Sequence, residues 1–402
     1  MTEFFPYENL TWPEVNDLPR DTPLVLPLGA GYPLDRLASA LGCPDRAGLL
    51  PPMPFGWPGS GLQVPSSTLA AYVANLIDSL QDDGFSQVYA LTPQGLNWAT
   101  WDGGAGRQMR RIALPQEKTS ENADIFGNLT KHAPDEDRNK VVIIPIGHTE
   151  QHGYHLPLST DTLIIDAIAQ GIVEATPDQA TRLPVMPYGV STHRQAFAGT
   201  LNAGGRAFED FWLCAIDTLA NQGFDRMYLI SGHGGNSSFL VNVIKYAGER
   251  HRRIFCATAW LYLSGPQGIA ALQTRRHSDI GGMGHACELE TALILHLHPE
   301  LVHMQRAVDE MDFVATPNYY MDWVEGGALI ANPPWYDDTQ TGAYGAGSLG
   351  TPEKGRVWLE AAISEKVVHV AEIHQQLAMR NARRASGFGL WGAPQNPRQD
   401  SR

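Results

Sequence analysis

Short apolar runs alternate along this chain with segments that have the periodicity of helices. Val141–Ile146 is an apolar run that lies between the charged residues 135–140 and Gly147, which is typical of a central parallel strand. Residues 227–231 form a second such run, and a helical pattern follows over Ser237–Arg250. Strands that alternate with helices predict an α/β fold with a mostly parallel sheet.

Polar side chains with metal-binding chemistry follow both runs. Glu150 and His152 are two residues apart, so in an extended segment they leave the same face. Asp161 comes shortly afterwards, and His233 directly follows the second run in the motif Gly-His-Gly-Gly-Asn. Because open α/β sheets bind ligands at the carboxyl ends of their strands, we expect these side chains to meet.

A third motif, His-Ala-Cys-Glu-Leu-Glu-Thr, covers residues 285–291 at the start of an apolar helix. His285 and Glu288 are three residues apart and would share a helix face. Carboxylates and imidazoles without thiolates favour zinc, manganese or iron in a water-accessible site. Asp161 lies between the other ligands and could bridge two ions that activate a water molecule. The sequence therefore predicts a divalent metal centre with two ions.

These three motifs resemble those of the creatininase (creatinine amidohydrolase) family. The matching features are Glu-x-His-Gly-x-His-Leu-Pro with an Asp nine residues after its first His, then Gly-His-Gly-Gly-Asn, then His-Ala-x-Glu-x-Glu-Thr. They occur in the family order over about residues 141–303, and weaker similarity continues to residue 360. The resemblance implies a three-layer α/β/α fold with a mostly parallel central sheet, and a hydrolase.

Carried over by motif position, the resemblance assigns roles to single residues. Glu150 becomes a ligand of one metal and His152 a ligand of the other. Asp161 becomes the bridge, His233 a further ligand and His285 the catalytic histidine.

The chain also departs from creatininase itself. Creatininase has a ligating Glu where this chain has Gly235, so we expect Glu288 to replace the lost ligand. The tryptophan that creatininase places before its catalytic histidine is absent, since residues 280–284 read Ile-Gly-Gly-Met-Gly. Family membership is therefore better supported than creatinine as the substrate.

The resemblance implies hydrolysis of the C–N bond of a small, cyclic or formyl amide by metal-activated water. His285 or Glu288 would carry a proton to the departing nitrogen. The alternatives within the family are a carbon–carbon ring-opening hydrolase for an oxidised inositol and a peptidase of a ribosomal peptide precursor. A non-catalytic binding protein is a further alternative, although the intact ligand set argues against it.

Several residues are expected around the substrate. The amides of Gly234 and Gly235 could stabilise an oxyanion, and His193 matches a family pocket position. Asn236 either lines the substrate site or caps the following helix. His155 is expected to orient a ligand through its second nitrogen. Glu290 is equally compatible with a surface charge and with a buried partner of the site.

The N-terminal third is similar in sequence to a later part of the chain. Residues 25–29, 50–56 and 77–89 parallel residues 143–147, 183–189 and 216–228 in the same order, which predicts a duplication. The first copy lacks the Glu-x-His motif, and no histidine precedes His132. We expect a metal-free domain (residues 1–115), a linker (116–140), a catalytic domain (141–385) and a flexible tail (386–402). The first domain would replace a neighbouring subunit or supply a wall of the active site.

Composition restricts the partners. The chain has 402 residues and a formal net charge of −14, which disfavours nucleic acid and anionic membranes. Four cysteines without a Cys-x-x-Cys pair suit a reducing cytoplasm. Neither a signal peptide nor a run of membrane-spanning length is predicted. We expect a small-molecule substrate and a homo-oligomer, for example a trimer of pseudo-dimers.

Overall fold

Two parallel β-sheets form the framework, one from each half of the sequence. This computed structural model describes residues 1–96, 109–117, 135–192, 197–324 and 326–388. The N-terminal sheet contains β1 (Glu3–Pro6), β2 (Leu24–Pro27), β3 (Arg46–Leu49), β4 (Val88–Pro93) and β5 (Arg110–Leu114). Its strand order is β1-β3-β2-β4-β5, and all neighbours are parallel.

The C-terminal sheet is also parallel and carries the predicted motifs at its carboxyl edge. It contains β6 (Val141–Ile146), β7 (Ala180–Arg182), β8 (Arg226–Ser231) and β9 (Phe255–Thr258) in the order β7-β6-β8-β9. Ile146 pairs with Ser231, so β6 and β8 end side by side. A separate antiparallel pair joins β10 (Met283–His285) to β11 (Tyr344–Gly345).

Helices connect and cover these strands. In the described parts of the chain they are α1 (Trp12–Asp17), α2 (Leu34–Ala40), α3 (Ser66–Asp82), α4 (Asp135–Arg138), α5 (Thr160–Ala175), α6 (Gly205–Asn221), α7 (Ser237–Arg250), α8 (Pro266–Arg275), α9 (Glu288–Leu297) and α10 (Pro352–Ala385). None of the helices in these parts is both long and apolar enough to cross a membrane.

The C-terminal sheet is buried on both faces. Successive side chains of a strand point to opposite faces, and Val141 and Ile143 pack against α5, α9 and α10. Val142 and Ile144 pack against α6 and α7 on the other face. This arrangement explains why β6 reads as a continuous apolar run, and it confirms the predicted three-layer α/β/α fold with mostly parallel strands.

The two halves share one hydrophobic core. Helices α3 and α6 pack against each other between the sheets. The hydroxyl of Tyr72 on α3 donates to the carbonyl of Tyr188 at 2.7 Å, and the Asn75 amide donates to the carbonyl of Ala203 at 2.6 Å. Four strands of each sheet have the same order when they are numbered from the first of the four along the chain. These are β3-β2-β4-β5 in the N-terminal sheet and β7-β6-β8-β9 in the C-terminal sheet. The duplication itself and the domain boundaries stay predictions.

Candidate metal centre

Five predicted residues meet at the carboxyl edge of the C-terminal sheet. Glu150 and His152 lie in the loop after β6, Asp161 in the first turn of α5, His233 after β8, and His285 at the end of β10. All five side chains are buried. The structure thus brings together residues from four separate elements.

Close backbone contacts bring these elements together. A Cβ on Gly147 would lie 2.5 Å from the Cα of Thr162, and one on Gly232 would lie 2.2 Å from the carbonyl oxygen of Asp161. Both positions therefore require glycine. As a result, the loops after β6 and β8 press against the start of α5, and His233 reaches Asp161.

The distances between the polar atoms suit a bound cation. Asp161 Oδ1 lies 3.2 Å from His152 Nε2, and Asp161 Oδ2 lies 3.2 Å from His233 Nδ1. Glu150 Oε1 lies 3.4 Å from His233 Nδ1. Two ligands bound tetrahedrally to zinc at their usual bond lengths are separated by about 3.3 Å. Each carboxylate oxygen of Asp161 thus faces a different imidazole, as a bridging ligand would.

Backbone carbonyls select the ring nitrogens that face the centre. His152 Nδ1 lies 3.0 Å from the carbonyl oxygen of Glu150, and His233 Nε2 lies 3.0 Å from that of Val190. A carbonyl oxygen only accepts, so these nitrogens carry hydrogen. In the neutral rings, the lone pairs of His152 Nε2 and His233 Nδ1 therefore point into the centre.

With both rings neutral, two atoms of these five side chains have no hydrogen-bond partner among the described residues. They are His152 Nε2 and Asp161 Oδ2, both fully buried. Buried polar atoms are normally paired, because desolvation without a partner is costly. A divalent cation would satisfy both atoms, so the side chains fit such an ion.

The charges of the metal-free centre are strongly coupled. Burial alone would lower the pKa of His152, but the neighbouring Asp161, Glu290 and Glu150 carboxylates raise it to about 10. Burial would likewise lower the pKa of His233, but the Glu150 and Asp161 carboxylates raise it to about 9. Burial would raise the pKa of Asp161, yet the two imidazoles hold it far below its ordinary value. Protons on the imidazoles therefore balance the carboxylates when no metal is bound.

Comparison with known proteins identifies the family. The sequence model of the creatininase family, described as creatinine amidohydrolase, matches residues 128–370, which is more than half of the chain. The chain belongs to the creatininase family.

Individual relatives of the creatininase family differ in what they act on. A mycofactocin precursor peptide peptidase from Mycolicibacterium smegmatis is 33% identical over 167 residues, which cover 40% of this chain and 59% of the relative. A creatinine amidohydrolase from Pseudomonas putida is 29% identical over 185 residues, which cover 42% of this chain and 68% of the relative. The match thus spans about three fifths of the peptidase's length.

A solved structure shows the same fold. A candidate creatinine amidohydrolase from Bacteroides fragilis superposes with a TM-score of 0.50 and 22% sequence identity. The superposition covers 59% of this chain and 90% of that protein. The creatininase fold is thus shared over more than half of this chain.

The third carboxylate at the centre is Glu290, not Glu288. Glu290 is buried in the first turn of α9, and its Oε1 lies 3.9 Å from His152 Nε2. Burial raises the pKa of Glu290 to about 7. Together with His152 and Asp161 it forms a cluster with metal-ligand spacing.

Glu288 points away from the centre, so the prediction that it is a ligand and a proton carrier is wrong. Its carboxylate pairs with the Lys354 ammonium and accepts the backbone N–H groups of His277 and Ser278. The prediction assumed that His285 and Glu288 share a helix. In fact His285 ends β10 and α9 begins at Glu288. Glu290, two residues further along the helix, leaves a different face.

His285 lies beside Glu150 with its orientation fixed. Its Nε2 lies 2.7 Å from the carbonyl oxygen of Gln151, so in the neutral ring the Nδ1 lone pair faces Glu150 Oε1 at 3.4 Å. Burial and the nearby His152 charge keep the pKa of His285 well below its ordinary value. Trp335 packs edge-on against the ring, with centroids 4.9 Å apart. His285 is thus a neutral, oriented proton acceptor.

His148 also lies at the centre and was not predicted from the sequence. Its Nδ1 accepts the N–H of Gly189 at 2.9 Å, and burial holds its pKa well below the ordinary value. The neutral ring therefore carries its hydrogen on Nε2, which lies 3.6 Å from Glu150 Oε2. This nitrogen has no lone pair for a metal, and its hydrogen faces the carboxylate. The even spacing of residues 148, 150 and 152 was the available signal.

The predicted substrate contacts have mixed outcomes. The amide of Asn236 is buried and bonds to Gly147, Ser231 and the N–H of Val190, so the prediction that it contacts substrate is wrong. These hydrogen bonds of Asn236 hold together the loops beside the centre. Gly235 is exposed and Gly234 is partly exposed. His193 lies outside the described residues.

His155 does not contact the centre directly. It is fully buried, and its Nε2 lies 2.8 Å from the Thr291 hydroxyl on α9. Through this contact it ties the loop after β6 to the helix that carries Glu290. Its predicted role of orienting a ligand stays a prediction.

Proposed function

We propose that the chain is a metal-dependent hydrolase that cleaves the C–N bond of a small amide. The observation that carries this proposal is the convergence of oriented imidazole lone pairs and buried carboxylates around Asp161. Carboxylates and imidazoles buried so close together have no purely structural reason to converge, because removing charged groups from water destabilises the fold. Membership of the creatininase family supports hydrolysis.

Two ions are proposed, with Asp161 as their common ligand. Glu150 and His233 would hold one ion, and His152 and Glu290 would hold the other. These oxygen and nitrogen ligands suit zinc, manganese or iron. A bound divalent ion supplies Lewis acidity, which lowers the pKa of water and polarises a carbonyl group.

The proton transfers are assigned to His285. Its neutral ring presents the Nδ1 lone pair beside Glu150, while the carbonyl of Gln151 holds the opposite nitrogen. It would accept a proton from the attacking water and deliver that proton to the departing nitrogen. The backbone amides of Gly234 and Gly235 are proposed as oxyanion donors.

A peptide is the second candidate substrate. The segment 304–343 carries several exposed apolar side chains, and its Trp335 contacts His285. The exposed members are Val308, Met311, Val314, Leu329, Ile330 and Tyr336. This segment would offer apolar contacts to an extended chain, which a small cyclic amide does not need.

The direct test is hydrolysis by the full chain in chelated and zinc- or manganese-loaded forms. The substrates are creatinine, a formamide and a short unstructured peptide, with product release followed by mass spectrometry. We expect turnover of one of them only in the loaded form, and loss of turnover in His285→Asn without loss of metal. His251→Gln is the control, since His251 pairs with Asp217 away from the centre. Metal loading without turnover of any amide would contradict the proposal.

A further inference from the structure

Helix α1 of the N-terminal half reaches the catalytic half beside the centre. The indole N–H of Trp12 donates to the carbonyl of Thr341 at 2.8 Å. Its ring packs against Tyr154 and Phe197, with centroids 5.3 and 5.4 Å apart. Tyr154 is two residues beyond His152, so Trp12 contacts the loop that carries two candidate ligands.

A short series of hydrogen bonds leads from Trp12 to His285. Thr341 accepts from Trp12, and the next residue, Gly342, accepts from the side-chain amide of Gln151 at 2.9 Å. The backbone carbonyl of Gln151 then holds His285 Nε2. A Cβ on Gly342 would lie 2.2 Å from Gln151 Oε1, and its φ of +83° favours glycine. The contact between these two residues is therefore tight.

The segment 304–343 is attached to α1 at a second point. Arg306 donates to Glu14 Oε1 at 3.1 Å, and Glu14 also accepts the N–H of Thr11. Within the segment, Glu310 accepts from the N–H of Thr341. Both ends of the segment are thus fixed relative to α1.

Neighbouring backbone contacts tie the same N-terminal stretch to the start of α5. The N–H of Leu158 donates to the carbonyl of Leu10 at 2.9 Å, and that of Ser159 donates to the carbonyl of Glu8 at 3.0 Å. Asp161 follows within three residues. The N-terminal half therefore contacts two segments beside the centre, the loop after β6 and the start of α5.

We propose that the N-terminal half completes the catalytic site through Trp12, a positioning residue that keeps His285 in a single tautomer. Loss of the indole N–H would remove one of the contacts that hold Thr341 and Gly342 against Gln151. It would thereby loosen the Gln151 carbonyl that holds His285 Nε2. The catalytic meaning of this orientation rests on the proposed function, but the orientation itself is measurable without any substrate.

The experiment compares Trp12→Phe with the wild type by long-range ¹H–¹⁵N spectra of imidazole-labelled, zinc-loaded full chain. His285→Asn assigns the signal. We expect His285 to carry its hydrogen on Nε2 in the wild type. In Trp12→Phe the tautomer ratio should shift about fivefold toward Nδ1, which is the effect of weakening one neutral hydrogen bond.

Controls separate positioning from general destabilisation. Trp57→Phe alters a buried tryptophan within the N-terminal half and should leave the His285 signal unchanged. Glu14→Gln weakens the second attachment without changing the indole contacts, and it should move the signal in the same direction. Unchanged His285 signals in both Trp12→Phe and Glu14→Gln would overturn the proposal. Failure of the hydrolase proposal would instead appear as absent turnover with a normal tautomer.

Discussion

At the scale of single residues, the centre depends on which atom each side chain presents. His152 offers Nε2 and His233 offers Nδ1, because different backbone carbonyls hold their other nitrogens. His148 holds its hydrogen toward Glu150 instead. Histidines with identical chemistry therefore serve different roles according to one local hydrogen bond.

The pair Glu290 and Glu288 gives the sharpest test of these assignments. We expect Glu290→Gln to lower the metal content by about one ion per chain. The loss of stability should be small, since the change removes one buried carboxylate from beside another, that of Asp161. Glu288→Gln should retain the metal but destabilise the fold by about 3 kcal/mol, because Lys354 would keep a buried, unpaired charge.

Elemental analysis and urea unfolding of both variants measure these two effects. The opposite pattern, with metal lost from Glu288→Gln and retained by Glu290→Gln, would restore the original assignment of Glu288 as the ligand.

Metal binding should release protons. In the metal-free protein the pKa values of His152 and His233 are about 10 and about 9, so both rings are charged at pH 8. Zinc needs their lone pairs, and binding must displace about two protons. The apparent affinity should therefore rise with pH until about pH 9 to 10. Calorimetry in two buffers of different ionisation enthalpy measures the release, and a value near zero would show that the rings are neutral.

Part of the arrangement of these residues was predictable from the sequence. The spacings of Glu150, His152, Asp161 and His233 predicted that these side chains meet, because motif spacing and strand ends constrain them. The tautomers were not predictable, since they depend on carbonyls such as that of Val190, far away in the sequence.

At the scale of elements, strand ends and a helix start determine the site. Parallel pairing of β6 with β8 places their following loops side by side, as the apolar runs predicted. The boundary between β10 and α9 was mispredicted. Ala286, with a φ of +50°, turns the chain between them, and sequence periodicity does not reveal such a turn.

The contact of Gly232 with α5 should be indispensable. We expect Gly232→Ala to destabilise the protein by about 1–3 kcal/mol and to reduce zinc binding, because the new methyl group would collide with the Asp161 carbonyl. Gly248→Ala is the matched control, since its Cβ would meet nothing within 4 Å on α7. That change should stabilise the helix by about 0.5–1 kcal/mol. Equal urea midpoints for the two variants would contradict this role of Gly232.

At the scale of the whole molecule, the N-terminal half is joined to the C-terminal half through a common core. The internal sequence similarity predicted two related halves, and four strands of each sheet have the same order, but the duplication stays a prediction. The junction could not be predicted, because the Tyr72 and Asn75 side chains meet backbone carbonyls of the other half. Predicted oligomerisation stays a prediction.

A shared core predicts cooperative unfolding. We expect one urea transition, with coincident midpoints from tryptophan fluorescence and far-ultraviolet circular dichroism. The reason is that unfolding one half would expose apolar side chains of the other half to water. The unfolding experiment uses the metal-free full chain, since bound metal would stabilise only the half that holds the proposed centre. Two separated transitions would mean that the halves are independent domains.

The most direct test of the account is the metal content of the wild type and of Asp161→Asn, measured by elemental analysis of protein purified without chelators. The two oxygens of Asp161 face His152 and His233, the imidazoles that are assigned to different ions. We predict close to two equivalents of zinc, manganese or iron in the wild type and a loss of both in the variant. No metal in the wild type, even after reconstitution with zinc and manganese, would contradict the account.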